Sequence, residues 1–586
     1  MSPTSRRSGI SHRTRGFDSL VDALDYAAQG ATGCNFYDGS GNLEAAITYA
    51  GLRDEAMALA RRLVGLGVQR GARVGIVAET NVLFPRFFFA CQYAGLIPVP
   101  LPAGLQMGGG EPYVEQLNRM LTSCAADIAV APDSHLGFLQ RATRNLNLKK
   151  VGTPEEFDEL EPSTAELNPL SGDDIAYLQY TSGSTRFPRG VEMTQTAVLA
   201  NLTEIAEVGC GITADDRLVS WLPFYHDMGL VGCVLIPVAN QISVDFLSPR
   251  TFAMRPRLWL KILSENRGTI SSSPPFGYEL CATRVRMTDT GRYDLSAWRV
   301  ACVGAERINP RPLQQFARVL EPAGFNPDAF LPCYGMAEVG LAVSFAPLTT
   351  TYSVDVVAKA TMTDGGKALV ATDEDRRNAN TLSFVDCGEA LPSYDLSIRD
   401  ESDAELGERE CGRIWVRGPS LMKGYFRDPE ATSEVIKAGG WLDTGDIGYR
   451  IGRRLFLTSR AKDVIIVNGR NIWPQDLEQL AEKLPEERLG AISAFSVTRP
   501  NQDELAVMVV ESRNAGPDLT DKLAGLVREN FGINCFIDLA PPRTLPRTSS
   551  GKLSRTRAKA DFLARTRWDE DGFPQVDLPA QAQANG

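Results

Sequence analysis

The run YTSGSTRFPRG, Tyr180 to Gly190, concentrates hydroxyls and glycines and carries the basic Arg189 near its end. Glycines such as Gly183 and Gly190 let backbone N–H groups close on an anion. Thr181, Ser182, Ser184 and Thr185 add hydroxyls, and Arg189 adds a fixed positive charge. A loop of this kind suits a flexible polyphosphate. It is not the GxxxxGK[ST] loop, because Arg189 is followed by Gly190 and Val191. By itself it reads equally well as a Ser/Gly-rich surface turn.

Other stretches carry compatible chemistry. CYGMAE (333–338) sets Glu338 just after a Tyr-Gly turn, and a carboxylate beside phosphates is a natural Mg²⁺ ligand. GWLDTGDIGY (440–449) sets Asp446 on a Gly-flanked turn, apt for gripping ribose hydroxyls. PRTSSGKLSR (546–555) sets Lys552 on a Gly-rich turn. Each alone has a plain reading as hairpin turn, helix cap or solvated basic loop. Their order and separation together are far harder to obtain by chance.

The elements that must position these residues alternate. ARVGIVAE (72–79), DIAVAP (127–132), DIAYLQYTS (174–182) and RVACVGAE (299–306) read as buried strands, each followed by a turn. LFPRFFFACQYAGL (83–96) reads as a helix ended by Gly95 and Pro98. Strand–helix alternation predicts an α/β fold with largely parallel sheets. The character changes near Arg460. KDVIIVNG (462–469), LGAISAFSV (489–497), ELAVMVVES (504–512) and CFIDLA (535–540) read as strands, with helices at 474–484, 521–532 and 555–564. That predicts a large domain over 17–459 and a small mobile α+β domain over 460–586, joined by a hinge at 458–463 that includes Lys462 and Asp463. Residues 1–16 are expected to be a disordered basic tail.

With 586 residues the chain exceeds a single core. Its net charge of −11 argues against bulk binding to nucleic acid or anionic lipid. Eleven scattered cysteines without a CxxC read as reduced thiols in a cytoplasmic protein, and three distant histidines argue against a His-built metal site. The uncharged run 87–110 is broken by Pro98, Pro100 and Pro102, so it reads as buried helix, strand and loop rather than a membrane span.

Over about Phe17 to Arg567 the chain resembles the adenylate-forming superfamily of acyl-CoA synthetases, adenylation domains and luciferases. Within it, WLPFYHDMGLVG (221–232) and KDVIIVNGRNIWPQDLE (462–478) most resemble fatty acyl-AMP ligases, as does a long segment, 348–386, that acyl-CoA synthetases lack. The resemblance implies a large domain of mixed and parallel sheets wrapped by helices plus a β-subdomain, with the small domain mobile. It also implies two steps: a fatty carboxylate attacks the α-phosphorus of ATP, and the acyl-adenylate then passes to a thiol, here that of a holo-acyl carrier protein.

The roles it implies are specific. The loop 181–190 would hold the β- and γ-phosphates, and Glu338 with Thr185 would hold Mg²⁺. Asp446 and Arg460 would bind ribose. Gly304, Ala305, Glu306, Tyr334, Gly335, Met336 and Ala337 would frame the AMP moiety. His226 would border the acyl and phosphate sites, and Lys552 would bridge the carboxylate and α-phosphate. Phe224, Tyr225, Met228, Phe276 and Tyr278 would line the acyl pocket. Departures are Arg189 where the family has Lys, Arg307 where Pro is usual, and Pro275-Phe276-Gly277-Tyr278 in place of an Asn-Phe-Ala-Tyr run.

Three alternatives stand beside this one: an acyl-CoA synthetase, an amino-acid adenylation domain, and an inactive binding homologue. WLPFYHDMG in place of a Phe-Asp run counts against the second, and intact Glu338, Asp446 and Lys552 count against the third. VDVVAKA (354–360) and KALVAT (367–372) around Asp364-Gly365-Gly366 predict a hairpin that could bias the small domain. Residues 543–567 hold eight Lys or Arg against one acid, Asp561, a patch that could steer an acidic carrier.

Overall fold

The computed structural model describes residues 2–577, apart from 105–109, 182–187, 286, 379, 468–469, 482–483, 485–488, 501–503, 514–515, 548–552 and 570–572. Its largest sheet is two sheets in series. One half runs parallel in the spatial order 330–334, 300–303, 270–273, 217–220, 243–247 and 33–37, and 43–48 closes it antiparallel. The other half is antiparallel. It is entered through 344–345 and continues as 381–390, 454–460, 441–451, 412–417 and 395–399.

A second, wholly parallel sheet orders 97–101, 73–77, 128–130 and 150–152. The helix Leu83–Ala94 lies between layers, which is why nearly every residue from Phe84 to Ala94 is buried. It stops at Gly95, whose φ of 72° is the left-handed cap that glycine adopts without strain. A third, small sheet of 175–180, 190–194 and 424–425 flanks the hydroxyl-rich loop. The fold class is thus the α/β arrangement read from the sequence.

Residues beyond 464 build separate cores. Strands 492–498, 504–511 and 535–540 form one sheet, covered by helices Pro474–Ala481 and Pro517–Phe531 on one side. Helix Arg555–Arg565 covers the other side through Ala558 and Phe562.

Two expectations differ from the structure. The basic N-terminus is not a free tail. The Thr4 amide donates to Asn35 Oδ1 at 2.7 Å, the Arg13 amide donates to Gln241 Oε1 at 2.9 Å, and Arg7 pairs with Asp215 at 2.6 Å. Its arginines meet acidic side chains of the body, which composition alone does not reveal.

The segment 348–386 is also not the hairpin expected. Val354–Ala358 pairs with Thr381–Val385, and Val357–Val370 makes only an isolated bridge. Asp364-Gly365-Gly366 instead ends a short helix, Lys359–Gly365, with Gly366 in the left-handed cap. The β-branched run finds its apolar partners in Leu382 and Phe384, which share a cluster with Val357, Met362 and Trp473.

Candidate active site

The site lies at the carboxyl ends of the central parallel strands, where α/β sheets bind ligands. Strand 300–303 delivers Gly304, Ala305 and Glu306, and Ala305 has φ of 70°. A non-glycine residue held there marks a constrained turn. A Cβ at Gly304 would lie 2.9 Å from Cys333 O, so the two neighbouring loops pack backbone to backbone. Strand 330–334 ends in Tyr334 and Gly335. A Cβ on Gly335 would lie 1.8 Å from Leu341 O, so only glycine fits this turn. The turn sets Glu338 on a 3₁₀ helix, Ala337–Val339.

From the antiparallel half, Asp446 and Arg460 stand directly across from each other on neighbouring strands. Tyr334 Oη donates to Asp446 Oδ2 at 2.8 Å, and Arg460 Nε lies 3.4 Å from Oδ1. Burial pushes the Asp446 carboxyl above its ordinary range, with Arg460 and Tyr334 opposing. Asp446 in turn raises Arg460. Burial likewise raises Glu338, although Tyr425 Oη donates to its Oε1 at 2.9 Å. Arg189 stacks on the Tyr425 ring at 5.1 Å and faces Asp428 at 3.5 Å. Planar stacking of this kind suits Arg rather than Lys.

His226 caps the short helix Asp227–Leu230, with Nδ1 2.5 Å from Asp227 Oδ1. The Met228 amide donates to the same Nδ1 at 3.4 Å, as a helix cap requires, and Nε2 is the ring nitrogen left for a ligand.

Most of these polar groups line one cavity of about 270 Å³. Thr181, His226, Ala305, Tyr334, Gly335, Met336, Ala337, Glu338, Asp446, Arg460 and Lys462 form its polar end. A second cavity of about 150 Å³ shares Ala305, Tyr334, Asp446 and Arg460 with it and adds Glu306, Asp463, Leu553 and Arg555. Among the described residues no cluster of three or more His, Cys, Asp or Glu could hold a metal. Ser182, Gly183, Ser184, Thr185 and Lys552 lie outside the described residues. Gly190 starts strand 190–194, opposite Tyr180.

The far end of the larger cavity is apolar, walled by Ile205, Ile212, Leu218, Ile236, Ile270 and Phe345, with Cys210 and Cys302 in contact at 3.8 Å. Of the five residues expected to line an acyl pocket, Met228 lines this cavity. The others are placed elsewhere. Phe224 stacks on Phe84 at 5.1 Å, and Phe276 meets Trp221 edge-on at 5.6 Å. Tyr278 is fully buried among Trp259, Trp298, Phe316 and Phe330 and donates to Cys302 O at 2.9 Å. Tyr225 is buried, with its carbonyl accepting from Gln179 Nε2 at 2.6 Å. Large aromatics mostly fill the core because they bury the most area, which leaves most of this cavity's wall to aliphatic and small residues.

Two of the missed lining residues, Ile205 and Gly232, lie in π-helical segments, Ile205–Gly209 and Val231–Leu235, and Cys210 and Ile236 directly follow them. Such segments follow neither helical nor strand periodicity, and their departure from the 3.6 period is itself a common mark of function. The basic stretch 543–567 is also reduced. Arg555 is bidentate to Glu478, and Arg565 pairs with Asp538, so neither is a free surface charge.

The AMP-binding enzyme family matches residues 33–426. A Caulobacter vibrioides protein provisionally named an acyl-CoA synthetase is 42% identical over 94% of this chain and 96% of its own. JamA of Moorena producens, a medium-chain-fatty-acid–[acyl-carrier-protein] ligase, is 30% identical over 94% of this chain and 96% of its own. A chain from a structural study of fatty acyl-adenylate ligases from E. coli and L. pneumophila superposes with a TM-score of 0.88. It is 44% identical, covering 94% of this chain and 98% of that one. The chain therefore belongs to the AMP-binding enzyme family, among the fatty acyl-AMP ligases, and is an ATP-dependent, AMP-forming ligase.

Proposed function

We propose that the protein activates a medium- or long-chain fatty acid as its acyl-adenylate and passes the acyl group to the phosphopantetheine thiol of a carrier protein. The observation that carries this reading is the single cavity with a carboxylate- and arginine-lined mouth and an apolar end. The mouth suits a nucleotide and the end suits an alkyl chain.

In the adenylation step the fatty carboxylate enters tail first, and its oxygen attacks the α-phosphorus while pyrophosphate leaves. Asp446 accepts from the ribose hydroxyls, held by Tyr334 and Arg460. The turns at 304–306 and 334–337 frame the base. His226 Nε2 orients the carboxylate, and Lys552 offsets charge between carboxylate and α-phosphate. One protein carboxylate, Glu338, together with Thr185 and the substrate's phosphates, fits Mg²⁺, which takes few protein ligands. When bound, the ion neutralises phosphate charge. Chemistry of this kind is chiefly positioning and charge stabilisation.

Leu553 and Arg555 border the same cavity as Ala305 and Asp446, which supports reading this small-domain orientation as the one for adenylation. Transfer requires the small domain to turn about the hinge near Lys462 and Asp463 so that a thiol can enter. The residues supplying carrier contacts would be the exposed basic ones, Arg543 and Arg557, with Lys559 beside them. The product would feed polyketide, lipopeptide or complex-lipid synthesis. Among the described residues no helix is long and apolar enough to cross a membrane.

The second reading, transfer to CoA, is favoured by the provisional name of the Caulobacter relative. The test incubates the enzyme with ATP, Mg²⁺ and a long-chain fatty acid, with either CoA or a holo-carrier. Pyrophosphate release with acylated carrier and little acyl-CoA is expected. Efficient acyl-CoA formation would replace the first reading with the second.

A further inference from the structure

Arg307 departs from the family pattern, and its surroundings give it a task. Its side chain is 7% exposed and that of Asp476 is 3%, and Nη1 donates to Asp476 Oδ1 at 2.8 Å. Its guanidinium lies 4.6 Å from the centroid of the Phe384 ring. Arg307 follows Ala305 and Glu306 on the loop that borders the nucleotide cavity. Asp476 begins the small-domain helix Pro474–Ala481, and Phe384 belongs to the inserted strand. One side chain thus joins three segments distant in sequence.

A second tie lies across a cavity of about 200 Å³ that Arg307, Lys359, Asp476 and Asn530 all line. There Lys359 Nζ donates to Asn530 O at 2.7 Å and sits 3.2 Å from the Phe531 ring centroid.

A buried ion pair contributes little net stability against an apolar substitute, because desolvation offsets its attraction. It does fix register, since either charge left buried alone is costly. Among the described residues Asp476 Oδ2 has no partner, so the pair is held on one oxygen only. A pair that is buried, directional and incompletely satisfied specifies one orientation and can still open.

We propose that Arg307 and Asp476 form a latch that holds the small domain in the adenylation orientation and ties that orientation to the nucleotide loop. This rests on the proposed adenylation function. Arg307 is a positioning residue here, acting through the small domain rather than on the reacting atoms. Opening the latch lowers the fraction of molecules competent for adenylation. A population change of that kind lowers kcat for acyl-AMP formation without narrowing the acyl tunnel, and it favours the turned orientation that transfer needs.

The test measures three quantities for Arg307→Ala, Asp476→Ala and the charge swap Arg307→Asp/Asp476→Arg. They are acyl-AMP formation, transfer from supplied acyl-AMP to a holo-carrier, and the distance between fluorescent labels on the two domains. Each single variant should lose about tenfold in kcat for acyl-AMP formation, with the fatty-acid KM unchanged. Transfer should not fall, and the label distance should broaden. The swap should recover both kcat and the narrow distance distribution. Equal loss in both half-reactions, or a swap no better than the singles, would overturn the latch. Wild type that makes no acyl-AMP would instead overturn the proposed function, while the label distances would still decide the latch.

Discussion

Filling the apolar end of the cavity at Gly232 should shorten the fatty acid the enzyme accepts. Gly232 lies in the π-helical segment Val231–Leu235 and is half-exposed to the cavity, whereas Val231, Cys233 and Val234 beside it are buried. A Cβ there would meet only Leu341 Cδ2, at 3.3 Å, so a side chain can be added with a small shift and must grow into the cavity. Leucine would occupy the room of about four methylenes. At about 0.8 kcal/mol each, a long acid displaced by that much loses about 3.2 kcal/mol, or about 200-fold in kcat/KM. An acid shorter by about four carbons needs none of that room and should react nearly as before. The assay is pyrophosphate release across a series of saturated acids, for wild type and Gly232→Leu, with the KM for ATP as control. A profile that keeps its shape, or a uniform loss accompanied by a raised KM for ATP, would refute the placement of the acyl chain.

Further outcomes follow from the residues assigned to the nucleotide. Lys552→Ala should lower acyl-AMP formation by about 10²–10³-fold while transfer from supplied acyl-AMP survives, since one preorganised charge is removed from one step. Asp446→Asn should raise the KM for ATP by about 10-fold or more through loss of charge-assisted bonds to ribose, leaving the fatty-acid KM unchanged. The raised carboxyls of Glu338 and Asp446 should put the acid limb of kcat/KM for ATP above the ordinary carboxylate range. The sign for stability is opposite. A carboxyl raised by folding keeps its proton where the unfolded chain has lost it, so it destabilises the fold increasingly as pH rises from the ordinary value to the raised one. Glu338→Gln and Asp446→Asn should therefore flatten the fall of Tm with pH across that window, and an unchanged slope would count against the burial argument.

What the sequence made legible follows from locality. The strand at 73–77, the helix at 83–94 with its Gly95 stop, and the helix ended by Gly532 are each written in contiguous patterns and local stop signals. The polar site was legible through short motifs in which a turn and its functional side chain are neighbours, as in Tyr334, Gly335 and Glu338. Residues brought together by tertiary packing were not. Asp446 and Arg460 could be named one by one, but their facing register comes from strand pairing. The aromatics Phe224, Phe276 and Tyr278, named from the motifs that carry the resemblance, pack into the core, while the cavity wall falls to residues such as Ile205, Cys210 and Ile236, in or next to the π-helical segments. The hairpin reading of 354–372 failed because a Gly-Gly turn serves a helix end as well as it serves a strand pair.

The start of the small domain carries one more consequence of burial. Trp473 Nε1, Gln475 Oε1 and Asp476 Oδ2 are all buried without a partner among the described residues, within four residues of each other. Trp473 packs into the apolar cluster of the inserted segment, Gln475 borders the nucleotide-side cavity, and Asp476 holds Arg307. A buried polar atom left unpaired costs about 1–3 kcal/mol. Three of them at one seam oppose the apolar contacts of Trp473 and the ion pair of Asp476, so on the proposed reading this orientation of the small domain would be held by a small difference between large terms. Turning the small domain would return those atoms to solvent and relieve the cost. A difference of about 1.4 kcal/mol is tenfold in population. On the proposed two-step reaction, modest changes at this seam, by substitution or by an acceptor that binds the turned form better, would be enough to shift the enzyme between making acyl-adenylate and handing it on.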